Sequence, residues 1–85
     1  MGKFREYEAV VLDRDIPDGG PLKGTFGIVL ELLDGDGLAV EFFDDAGATI
    51  EVLLISDSQV RPATSKEKRI AFAAQESLPI SVDNV

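Results

Sequence analysis

Carboxylates are the side chains of this sequence that occur in numbers and spacings suited to chemistry. Asp44 and Asp45 are adjacent, Asp34 and Asp36 alternate with glycines, and Asp13, Asp15 and Asp18 crowd a stretch rich in glycine and proline. A carboxylate pair performs acid and base steps when one member is buried and its pKa raised. Adjacent aspartates in a glycine-bearing turn are both solvated instead, so no catalytic residue is assigned. Asp34-Gly35-Asp36-Gly37 begins like a calcium loop, but that pattern needs a further oxygen ligand and then a glycine where Leu38 and Ala39 stand. An ordinary hairpin turn accounts for its Asp-Gly pairs, and no metal site is assigned.

Composition narrows the field further. With no histidine and no cysteine, the chain lacks the commonest general base, the commonest transition-metal ligand, any thiolate nucleophile and any disulfide. Eighty-five residues make one domain, which at this size buries about 60 to 65% of the unfolded surface and leaves little room for an enzyme cleft. A formal charge of −8 and a pI near 4.2 oppose binding to nucleic acid or anionic lipid and favour a protein partner with a basic surface. The first apolar run, Ala9-Val10-Val11-Leu12, is too short and follows Glu6 and Glu8 too closely to be a signal peptide. No run reaches the length of a membrane span. Glu6 occupies the position where a myristoylation signal needs Ser or Thr. The expectation is a cytoplasmic, non-enzymatic protein without a cofactor.

The acids must be positioned by strands. Across residues 24–55, three apolar runs are separated by Asp34-Gly35-Asp36-Gly37 and Asp44-Asp45-Ala46-Gly47, which supply the residues that tolerate tight hairpin turns. This reads as a three-stranded antiparallel meander. Alternation in the first run sets Phe26, Ile28, Leu30 and Leu32 against Gly27, Val29, Glu31 and Leu33, and in the second Leu38, Val40 and Phe42 against Ala39, Glu41 and Phe43. The third loses its period at Leu53-Leu54-Ile55, which a bulge or a doubly covered strand end would explain. Residues 7–12 supply a strand before the meander and residues 60–62 a short closing one, with Pro62 at an edge. The intervening stretch, DRDIPDGGPLKG, is a long loop. Five short strands around one core predict a mostly β protein, a small five-stranded SH3-like barrel, with a C-terminal helical or extended tail. The alternative is an open sheet with the tail helix across one face.

Two units follow: a barrel over residues 1–63 and a tail over residues 64–85. The first carries five bases and thirteen acids, whereas the second carries three of each. Thr64 and Glu67 have capping-box spacing, which predicts a helix from Ser65 to about Glu76 with Ile70, Ala73 and Ala74 on one side and Phe72 nearby. Lys66, Lys68 and Arg69 in its first turns oppose the helix dipole, so the helix is marginal alone. The closing SLPISVDNV reads as extended or disordered in the absence of a partner.

The order of Val10-Val11-Leu12, Asp15-Ile16-Pro17, Leu22-Lys23-Gly24, Gly27, Glu41-Phe42, Asp45, Gly47-Ala48-Thr49 and Arg61-Pro62 resembles a family of short bacterial domains of unknown function (DUF 4926). The resemblance covers residues 7–62 and implies an SH3-like barrel acting as a small partner protein, of a kind often encoded beside a toxin or an enzyme. Gly24-Thr25-Phe26-Gly27 after Lys23 also resembles the turn of RNA-contacting KOW barrels, but such contact needs a basic surface.

Together these readings predict a small acidic protein-binding module, antitoxin- or immunity-like, that neutralises or completes a partner. Asp13, Asp15, Asp18, Asp44 and Asp45 would form its acidic docking face, with Ile70 and Phe72 as a helical arm. The alternatives are a structural accessory subunit or homo-oligomer, and a KOW-like nucleic-acid-binding barrel.

Overall fold

The structure, a computed structural model, describes residues 3–76; the extended or disordered tail expected over residues 77–85 lies outside them. The fold is mostly β. Its strands are β1 (Ala9–Leu12), β2 (Phe26–Leu32), β3 (Gly37–Phe43), β4 (Thr49–Ser56) and β5 (Val60–Pro62). A 3-10 turn, Asp57–Gln59, links the last two, and one helix, α1 (Ser65–Glu76), follows. All neighbouring strands pair antiparallel in one open sheet of order β4-β3-β2-β1-β5.

The connection between β4 and β5 dictates the shape of that sheet. These strands are its two edges, and in a flat sheet four spacings would hold them roughly 19 Å apart. Yet the chain passes from Ser56 to Val60 in four residue steps, about 14 Å at full stretch. The sheet therefore curls, as a small SH3-like barrel requires. Ser56 closes this link by capping the turn: its hydroxyl accepts from the Ser58 N–H, and its own N–H donates to the Gln59 side chain at 2.8 Å.

Curling gives the sheet an inside. Val10, Leu12, Val29, Leu38, Val40, Phe42, Ile55 and Val60 fill it, and Phe4, ahead of the first strand, packs among them. In the first half of β2 the large apolar residues Phe26 and Ile28 face outward, while Gly27 and Val29 face in. The reason is Phe42, wholly buried on β3 directly across from Gly27. A Cβ at Gly27 would come within 2.8 Å of Val40 Cγ1 and 2.9 Å of Phe42 Cδ1. The outward-facing Phe26 and Ile28 pack with Ala9, Val11 and Ala63 into a second, smaller cluster on the convex side.

Two local expectations are corrected. The first strand begins at Ala9 rather than residue 7, because Tyr7 adopts a left-handed φ of 67° in the preceding turn. No bulge falls at Leu53-Leu54-Ile55, which pair regularly with Val40, Ala39 and Leu38. The irregularities instead fall at Leu30 and Ile50, each an extra residue against its partner strand. The apparent loss of period at Leu54 arises because an apolar side chain points outward there, 73% exposed.

Gly27→Ala should overpack this core and cost about 1–3 kcal/mol, read as a lowered urea midpoint. Leu54→Ala on the exposed face should stay within about 0.5 kcal/mol of the parent chain.

Candidate functional site

The described residues form an open groove of about 780 Å³. One wall is the long loop over residues 19–25, the other is the β3–β4 hairpin at Asp44, Asp45 and Gly47, and Glu67, Ile70 and Ala71 of α1 close a third side. Its apolar surface comes from Val11, Phe26, Phe43 and Ile50. Three aromatic rings link the floor to the arm. Phe26 lies 6.4 Å from Phe43 and, in an edge-on arrangement, 6.4 Å from Phe72 of α1.

The helix is anchored at its start. Thr64 Oγ1 accepts from the Glu67 N–H at 3.1 Å and the Thr64 N–H donates back to Glu67 Oε1 at 2.8 Å, the reciprocal cap that the sequence predicts. The same carboxylate also receives both arms of Arg61, at 2.9 and 2.7 Å. One acid thus ties β5 to the first turn of α1. The Arg61 guanidinium is the main cause holding the Glu67 carboxyl down at about 2, with the Thr64 N–H adding to it, and Glu67 in turn raises the pKa of Arg61. Sequence reading found the cap but not this pair, since a glutamate at that helical position already has a complete local role.

The helix face turned toward the barrel differs from the one expected. Glu67 and Ala71 are half-buried, Ala73 is exposed, and Ile70 lines the groove while remaining 61% exposed. The anchor at Arg61 sets this rotation: it fixes Glu67 inward, and Ala71 lies one turn beyond on the same side.

The acidic residues separate into two groups. Asp44 and Asp45 border the groove together with Ile70. Asp13, Asp15 and Asp18 are exposed but do not line it. Asp15 Oδ1 accepts the Lys23 N–H at 2.7 Å, folding the long loop onto itself, and Asp13 lies on the Arg61 side. Asp18 stands at the loop's tip with a φ of 62°. Asp44 also has structural work, because its Oδ1 accepts the N–H groups of Ala46 and Ala48 at 2.9 Å each. Gly24 and Gly27, which suggested a KOW-like turn, serve a left-handed bend and the close approach of Phe42.

No described polar or charged residue is buried, so the carboxylates at the groove remain hydrated and accessible to a cationic group. An apolar floor with Asp44 and Asp45 on one wall and Lys23 on the other suits a ligand that is largely apolar and presents a basic group to the hairpin side.

A family model described as "Domain of unknown function (DUF4926)" matches residues 6–62, spanning all five strands and ending before α1. No curated protein and no solved structure matches the chain.

Acid should release the arm. Because the folded Glu67 pKa is depressed, its contribution is complete above the unfolded carboxyl value of about 4.3 and is lost as pH falls toward about 2. Helical circular dichroism and the Glu67 carboxyl resonance should follow that window. Glu67→Gln, which can still cap the helix, should remove the acid transition while retaining part of the helical signal.

Proposed function

The chain belongs to the DUF4926 family of domains of unknown function, and from that premise we propose that it is a small acidic protein-binding module of the cytoplasm that neutralises or completes a partner, as an antitoxin or immunity protein does. The observation that carries this reading is the groove: aromatic and aliphatic side chains form its floor, Asp44 and Asp45 the rim of one wall with Lys23 on the other, and the first turns of α1, tied to Arg61 through Glu67, its third side. The partner contributes a basic segment with apolar residues. Carboxylates steer its approach, and burial of Phe26, Phe43, Ile50 and Ile70 holds it.

The chain's charge supports the same reading. A surface at −8 accelerates encounter with a cationic protein and slows encounter with nucleic acid. The arm adds a second contribution. Ile70 and Phe72 are 61% and 47% exposed, large apolar side chains held beside a groove they only partly cover. Closing α1 over a bound segment would remove both from water.

Affinity capture from the source cell identifies the partner, and calorimetry on the purified pair supplies the test. Affinity should fall at least about tenfold between roughly 50 and 300 mM salt. Asp45→Lys should weaken binding further, mainly through a slower on-rate. Asp45 is the informative acid, because replacing Asp44 would also disturb the hairpin. An affinity indifferent to salt and to Asp45→Lys would sink the proposal.

A further inference from the structure

The groove does not account for the most exposed apolar residues of the sheet. Val52 and Leu54 of β4 are 51% and 73% exposed, and both lie on the outward parity of an eight-residue edge strand. Among the described residues β4 pairs only with β3. The orientation of its free backbone follows from the ladder. The Asp57 N–H donates to the Asp36 carbonyl, and pairing is regular from Gly37–Ser56 to Phe42–Glu51. Antiparallel ladders alternate, so the N–H and C=O groups of Val52 and Leu54 point away from β3 to the open side.

Natural edges of this kind are commonly protected by lysine, proline or a bulge. Beyond the extra residue at Ile50, β4 has neither lysine nor proline. What surrounds it is negative charge. Residues 24–60, which build β2, β3 and β4, contain eight acids and no base. Glu41, across from Val52, and Glu31, one strand beyond Leu54 in the row through Ala39, share the outward face, and Glu51 is exposed on the opposite parity of β4. A second copy would bring another such acidic unit edge to edge, whereas a cationic strand would be attracted.

We propose that the open edge of β4 accepts a sixth strand from a partner protein: an extended segment with apolar residues on one parity and lysine or arginine on the other. Backbone groups of Val52 and Leu54 bond the incoming strand, its apolar side chains cover theirs, and its basic side chains, on the opposite face, meet the exposed Glu51 of that parity. This rests on the acidic-module reading and deepens it by naming a second surface and the form of the segment that fits it.

The test uses the full chain and two synthetic peptides of identical composition, one alternating lysine with valine and one carrying the same residues in two blocks. The alternating peptide should bind at least tenfold more tightly and should slow hydrogen exchange at the Val52 and Leu54 amides. Leu54→Lys should abolish that preference without unfolding the chain, since this side chain lies outside the core. Equal, salt-sensitive binding of both peptides overturns the edge proposal and leaves the acidic-module reading standing; no binding of either overturns both. Slow exchange of those amides without peptide also overturns it. If accompanied by dimers in sedimentation, that result assigns the edge to a second copy; in dilute monomer, it assigns the edge to this chain's own residues 77–85.

Discussion

The four-residue passage from Ser56 to Val60 is the constraint on which the rest of the structure depends. It holds together two strands that pairing alone would leave at opposite edges, and the sheet must bend to satisfy it. Bending divides every strand into a concave face, where Val10, Val40 and Phe42 are fully buried, and a convex face that the chain can only partly cover. Gly27 is the local expression of the same constraint. At a position where the concave face is tightest, a residue without a side chain lets Phe42 occupy the centre.

The convex face is where a chain of this size runs short of material. The small cluster of Ala9, Val11, Ala63, Phe26 and Ile28 is covered in part by Phe72, and β4 at the far edge receives no cover among the described residues. An exposed β4 and a lightly packed helix are therefore two results of one shortage. Hydrophobic burial in the core fixes the fold, while polar contacts, Thr64 and Arg61 with Glu67, fix where the helix begins.

Much of this was legible in the sequence. The Asp-Gly breaks located both hairpins because their backbone demands are local: Gly35 and Gly47 adopt φ values of 70° and 86°. Thr64 and Glu67 marked the helix start for the same reason, since a capping box involves residues three apart. What escaped was non-local. Sequence parity could not tell which face of β2 is concave, because that depends on Phe42 sixteen residues beyond Phe26. Arg61 and Glu67 looked unrelated until β5 and α1 were placed end to end. The five aspartates chosen as one docking face divide between groove and loop because Asp15 is engaged with the Lys23 backbone. Leu54 was read as a disturbed period, when it is a regular strand position with an apolar side chain on the outside.

That last misreading identifies the tension the molecule must manage. An apolar edge strand invites pairing with its own copies, and lysine on the edge would oppose that pairing by adding a charge every copy carries. Lysine would equally repel a basic partner. Acidic residues oppose self-pairing just as well, because Glu31, Glu41, Asp44, Asp45 and Glu51 recur in every copy, but they act with the opposite sign on a cationic segment. One distribution of charge can thus keep the edge unpaired against itself and open to a basic strand. This asymmetry accounts physically for a β2–β4 unit that carries acids alone while the bases lie before residue 24 or after residue 60.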